Sequence, residues 1–139
     1  GVKVRMIVRS MFSVITEAEG YSENIEAIGI VDQLLEHTRI LMFHNGGDKR
    51  IYISSADFIQ RNFDGRCETM CPIYDEAAKR ELERYLQIQW SDTVKARKLD
   101  HELRNEVRPT DGKKPVRCQA EVAKYLQELS LSWESVDLG

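Results

Sequence analysis

Apolar and polar positions change rhythm several times along the chain. Val2 to Arg9, reading Val-Lys-Val-Arg-Met-Ile-Val-Arg, partly alternates and is rich in β-branched residues, which predicts a strand ending at Arg9. After a loop, Ser22 stands three residues ahead of the stretch Ile25 to Glu36, where Ile28, Val31, Leu34 and Leu35 recur at helical spacing and predict a helix. His37 to Phe43 and Arg50 to Ser55 suit strands, and Asn45-Gly46-Gly47-Asp48 between them is turn chemistry, so the two runs predict a β-hairpin. Ala56 to Phe63 reads as a turn or short helix, Cys67 to Ile73 as a strand, and Asp75 to Trp90 as an amphipathic helix capped by Asp75. Pro109, Asp111-Gly112 and Pro115 break residues 104–117 into a basic loop, Val116 to Leu129 predicts a last helix, and the acidic tail Ser130 to Gly139 receives no element. Strands alternating with helices predict an α/β fold, a mixed β-sheet flanked by helices with the hairpin at its centre.

Composition narrows the function classes. At 139 residues the chain has the size of one domain, read as 1–139, and 42% hydrophobic with 31% charged residues is a globular balance. A net charge of −3 argues against a general nucleic-acid or anionic-membrane binder, so any anion site must be local. Cys67, Cys71 and Cys118 cannot all pair with one another, and no secretory signal region is present, which points to a reducing compartment. No apolar run approaches the ~18 residues of a membrane span. Because the sequence opens Gly1-Val2-Lys3 directly in a strand-like run, it reads as a domain excised from a longer chain.

The chemistry concentrates on the hairpin. His37 and Arg39 sit two apart where it opens, as do Ser55 and Asp57 where it closes, and side chains two apart on a strand share a face. An odd-numbered connection, such as Gly46 to Asp48, would set His37 opposite Asp57 and Arg39 opposite Ser55, so that four polar groups meet at one end of an apolar ribbon. A phosphate would satisfy such a cluster: a guanidinium matches its oxygens, a hydroxyl adds a donor, and a histidine titrates near neutrality. The competing reading is a histidine within a polar core network.

Other candidates weigh less. Arg61, Asp64 and Arg66 are equally a surface ion-pair turn, and Lys95 and Arg97 a solvated basic helix end. The segment Arg104 to Arg117 reads as a flexible solvated loop, with contact to a polyanion as the competing reading. His44 and His101 read as structural or exposed. Cys67 and Cys71 lie in an apparent strand, where a buried thiol is the default, and their spacing does not suit zinc. No residue group is assigned to a metal.

The pattern His-x-Arg, Gly-Gly turn, Ser-x-Asp resembles a degenerate half of the phospholipase D superfamily signature, with Arg39 and Asp57 where that signature has Lys and Asn. More specific are Leu35-Glu36-His37-Thr38-Arg39, Phe43-His44-Asn45-Gly46-Gly47-Asp48, Tyr52-Ile53-Ser54-Ser55-Ala56-Asp57 and Arg61-Asn62-Phe63-Asp64-Gly65-Arg66. Together with Ile7-Val8-Arg9, Ser22-Glu23-Asn24-Ile25 and Ser91-Asp92-Thr93-Val94-Lys95-Ala96-Arg97, they resemble the polyphosphate kinase family over residues 2–129. The resemblance is to its carboxy-terminal catalytic domain, the second phospholipase D-like one.

That resemblance implies reversible transfer of the terminal phosphate of ATP to polyphosphate through a phosphohistidine in an upstream domain. It implies His37 as a catalytic residue, Arg9, His37 and Arg66 as ATP- or phosphate-binding, and Arg39, Ser55, Asp57 and Arg61 in support. It also implies Mg2+ accompanying ATP with ligands outside this chain, ADP and polyphosphate as partners with no nucleic acid, upstream domains and a homo-oligomer. The location it implies is the cytoplasm, with peripheral membrane association. The family carries glycine where Ser10 stands, and a side chain there would crowd the nucleotide. The competing functions are a phospholipase D-type phosphodiesterase acting as a dimer through His37, and a non-catalytic polyanion-binding module.

Overall fold

The computed structural model describes residues 1–9, 12–102 and 104–134, the last three by their backbone alone. The chain divides into two compact units, one formed by residues 1–35 with 87–139 and the other by Glu36–Leu86. Each has its own three-stranded sheet, where a single sheet was expected.

In the first unit β1 (Val4–Val8) runs parallel to β2 (Ile25–Gly29), and β6 (Arg97–Lys98) pairs antiparallel with β2 on its other side. The sheet is therefore mixed. The helix predicted from Ile25 to Glu36 is not formed. β2 is the central strand, with Ala27 and Ile28 both 1% exposed, so its Ile-Glu-Ala-Ile-Gly-Ile run is short and nearly continuously apolar instead of alternating. Such a run is indistinguishable by periodicity from a buried helix segment. Val31, Leu34 and Leu35, which completed the helical spacing, are exposed.

The core of this unit collects Ile28, Ile30, Ile88, Ala96 and Cys118, with Ile7, Trp90, Val122 and Tyr125 packed around them. Ile88 and Trp90 come from the end of α2 (Glu76–Trp90), and Cys118, Val122 and Tyr125 from α3 (Cys118–Glu134). α3 continues through Ser130 to Glu134, into the stretch expected as tail; residues 135–139 lie outside the described residues.

Asp92 organises the approach to α3. It is fully buried, and its Oδ1 accepts the backbone N–H groups of Val94 (2.9 Å), Lys95 (2.6 Å) and Ala96 (2.8 Å), while Oδ2 accepts that of Cys118 (2.7 Å). Burial opposes its ionisation, but the N–H groups of Cys118, Lys95 and Ala96 outweigh that and hold its pKa below the usual carboxylate value. The Ser91-to-Arg97 motif thus has a structural role.

The basic loop is largely exposed, as its reading as a solvated segment expects, but it is tied down at several points. Arg104 Nε donates to the buried Asp100 (2.9 Å), and the Arg108 backbone N–H donates to the Ala96 carbonyl (2.9 Å). The Arg108 guanidinium lies over the Trp90 ring at 4.8 Å from its centroid, with Arg5 at 5.2 Å, and also donates to the Trp90 carbonyl. Arg117 grips Asp32 through two bonds, 2.6 and 2.8 Å long. Beside it, the Gln119 amide pairs both ways with the Leu34 backbone, at 2.9 and 2.8 Å.

In the second unit β3 (Ile40–Phe43), β4 (Arg50–Ser54) and β5 (Met70–Ile73) form an antiparallel sheet in the order β3-β4-β5. The hairpin turn holds Asn45, Gly46 and Gly47 at φ 47°, 65° and 101°, conformations that Asn and Gly adopt most readily. Pro72 falls on the edge strand β5, where its missing N–H need not break a ladder. Cys67 and Cys71 are exposed, not buried as expected: Cys71 lies on the edge strand β5 and Cys67 ahead of it, outside any strand, while Cys118 is the buried thiol. Of the turn or short helix expected over Ala56 to Phe63, the helix forms, as α1 (Gln60–Gly65), and Asp75 caps α2 by accepting the Ala78 N–H at 2.8 Å.

Two outcomes follow for stability. Asp92→Ala leaves at least two buried N–H groups without an acceptor and should cost about 3 kcal/mol or more in equilibrium urea unfolding. The Arg117 side-chain hydrogen bonds lower the Asp32 pKa from 3.8 to about 2, against the opposing effect of burial. A depressed folded-state pKa stabilises above the unfolded value and ceases to do so as pH falls through the folded one. Stability should therefore decline from about pH 4 towards pH 2, and Asp32→Asn should flatten that part of a pH series of thermal unfolding.

Candidate functional site

The open end of the hairpin begins before β3. Residues 36–39 belong to no strand, although the Ser54 N–H donates to the Arg39 carbonyl at 2.9 Å and extends the pairing by one step. The register Ile40↔Ile53 through Phe43↔Arg50 leaves residues 44–49 as the connection. That even-numbered connection sets Arg39 opposite Ser54. The expected facing pairs, His37 with Asp57 and Arg39 with Ser55, are therefore displaced by one position, and a one-residue slip exchanges faces.

Of the four polar groups, Ser55 is drawn away from the other three. Arg39 reaches diagonally to Asp57, with Nε 2.8 Å from Oδ1, and its NH1 donates to the His37 carbonyl at 3.2 Å. The Asp57 hydrogen bond is the main reason that the Arg39 guanidinium holds its proton more tightly than usual. Ser55 instead donates to the Glu68 carboxylate and accepts the Thr69 N–H at 2.9 Å, so its hydroxyl anchors the entry to β5. Asn62, 2% exposed on α1, donates to the Asp57 carbonyl at 3.3 Å, while its Oδ1 meets no donor among the described residues.

His37 is exposed, and its flanking residues are both held by Tyr85 of α2. The Tyr85 hydroxyl donates to Glu36 Oε2 at 2.9 Å and lies 2.9 Å from Thr38 Oγ1. At the other end of the hairpin Lys49 Nζ meets both carboxylate oxygens of Glu83, at 2.7 and 2.6 Å, so α2 fastens the ribbon near both of its ends.

Arg61, on α1, and Arg66, at its carboxy-terminal end, are exposed. Among the described residues no ion pair joins either of them to Asp64 or to another carboxylate, so the ion-pair-turn reading of this segment is not what forms. Arg9 follows β1 in the other unit and is half-buried; Ser10 after it lies outside the described residues. No group of three or more His, Cys, Asp or Glu among the described residues could hold a metal ion. No helix among them is long and apolar enough to cross a membrane.

Residues 1–119 match the family model "Polyphosphate kinase C-terminal domain 2". The chain belongs to this family. Relatives named polyphosphate kinase include one from Vibrio vulnificus (strain YJ016), 46% identical over 129 residues that are 93% of this chain and 18% of the relative. One from Escherichia coli (strain K12) is likewise 46% identical over 129 residues, 93% of this chain and 19% of that protein. Among solved structures, polyphosphate kinase from Porphyromonas gingivalis superposes with a TM-score of 0.89 at 39% identity, over 94% of this chain and 20% of that one. The mixed α/β fold is thus that of a polyphosphate kinase, and the chain spans about a fifth of the length of the relatives it matches.

Within the family frame, sequence reasoning missed Tyr85, Asn62 and Glu68, the residues that hold the hairpin's open end. Asn62 lies five positions from Asp57, but for Tyr85 the signal is tertiary. Tyr85 lies 47 and 49 positions from its two partners, and no local spacing links them.

Proposed function

We propose that this chain supplies ATP- and phosphate-binding residues to a polyphosphate kinase that reversibly transfers the terminal phosphate of ATP to polyphosphate. The observation that carries the reading is His37, exposed on a segment fixed by side chains from both sides, in a chain whose family is that of polyphosphate kinases.

In the forward direction the bond between the γ-phosphorus and the bridging oxygen of ATP breaks, ADP leaves, and a bond to a histidine nitrogen of an upstream domain forms. That phosphohistidine then passes its phosphoryl group to the terminal oxygen of a polyphosphate chain, freeing the nitrogen. His37 orients or protonates the group in transit, Arg9 neutralises phosphate oxygens, and Arg66 lines the polymer's path, with Arg61 beside it. Exposed guanidinium groups without carboxylate partners suit Arg61 and Arg66 to a polyanion. Such work is positioning and charge neutralisation, which is most of what phosphoryl transfer requires of a protein. Arg39 and Asp57 support the His37 backbone, and Ser55 the entry to β5. Mg2+ would arrive with ATP and rely on ligands outside this chain; no step here is routed through it. By itself the chain forms no phosphohistidine. It works with the upstream domains of an oligomeric protein in the cytoplasm, peripheral to the membrane.

Polyphosphate synthesis from ATP by the full-length protein tests the reading. Replacing His37 with Ala should lower kcat by roughly a hundredfold or more while leaving the thermal transition nearly unmoved. Equal activity of the two proteins would make His37 structural and remove the assignment.

A further inference from the structure

The segment bearing His37 has no strand ladder of its own, since β3 begins at Ile40. Something else must fix it, because an imidazole that is to meet a phosphoryl group has to be held within a fraction of an ångström. The described contacts supply two restraints. One is the Arg39 guanidinium on the His37 carbonyl, itself held by Asp57. The other is the Tyr85 hydroxyl, which engages Glu36 and Thr38, the residues immediately before and after His37.

The proton assignments at Tyr85 follow from its chemistry. A phenol has one proton, and a carboxylate only accepts, so that proton goes to Glu36; the Thr38 hydroxyl must then donate to the phenol oxygen. Thr38, Tyr85 and Glu36 form a directed chain in which each bond polarises the next. With the side chains of 36 and 38 meeting on one hydroxyl, the backbone that carries His37 is restrained on both sides of it. Tyr85 is carried on α2, which the Lys49–Glu83 ion pair also fastens to the hairpin, so the clamp is mounted on a regular element.

We propose that Tyr85 is a positioning residue for His37, setting the imidazole by clasping the residues on either side of it. The inference rests on the assignment of His37 to the transfer site. Tyr85 is not expected to touch nucleotide or polymer.

The test is steady-state polyphosphate synthesis from ATP by full-length protein bearing Tyr85→Phe, which keeps the ring and removes only the hydroxyl. The expected result is a fall in kcat of about tenfold, a KM for ATP within about twofold, and a displaced acid limb of the kcat–pH profile. Glu36→Leu, which removes the other end of the clamp, should give the same pattern. A merely structural hydroxyl would instead lower the thermal transition without moving the pH profile, and that result overturns the proposal. So does an unchanged kcat in Tyr85→Phe. His37→Ala measured in parallel separates the failures: if it loses activity while Tyr85→Phe does not, positioning alone is refuted. If His37→Ala keeps full kcat, the site assignment falls and takes the positioning role with it.

Discussion

A buried carboxylate is stable in a folded protein only when donors replace the water it has lost, and Asp92 meets that condition chiefly with four backbone N–H groups. Three come from the turn that follows it and the fourth from Cys118 at the start of α3, where the helix end itself favours negative charge. The neighbouring backbone closes the same junction: the Thr93 N–H donates to the Val116 carbonyl at 2.9 Å, and the Val116 N–H donates to the Thr93 hydroxyl at 3.0 Å. One side chain thereby fixes how the chain leaves α2 and how α3 begins. Ala96 and Cys118, both 0% exposed, are delivered to the core by this junction, and the strand β6 follows directly from it. From the residue before α3 and from its first turn, Arg117 and Gln119 reach Asp32 and Leu34, so the segment leaving β2 depends at one remove on the same anchor.

The hairpin unit solves a different problem. Its candidate chemistry lies where regular structure gives out, and side chains take over the work of the ladder. Arg39 spends its charge on Asp57 and on the His37 carbonyl, Asn62 holds the Asp57 carbonyl, and Tyr85 gathers Glu36 and Thr38. Polar residues expected to bracket a phosphate bond mostly to protein groups instead. His37, Arg61 and Arg66 remain exposed.

What could be read from the sequence was what local chemistry decides. Asn45-Gly46-Gly47 announces a turn because few other residues accept its positive φ angles, and Asp75 announces a helix start because its carboxylate caps the first turn. The family was legible from contiguous motifs around that turn. The register was not, since it depends on whether His44, Asp48 and Lys49 join the turn or the strands, and the even count moved every facing pair by one. β2 was misread because a strand buried on both faces has no alternation to display. Tyr85 was passed over because its partners lie 47 and 49 positions away, and the long-range half of Asp92's role, its bond to the Cys118 N–H 26 positions on, escaped for the same reason.

The central claim is that ATP engages the His37 segment. Hydrogen exchange of the full-length protein, followed by mass spectrometry with and without ATP, reads this directly on the backbone of residues 36–39. The account predicts slower exchange there when ATP is added. Unchanged exchange in residues 36–39, with ATP protecting other parts of the same protein, would contradict it.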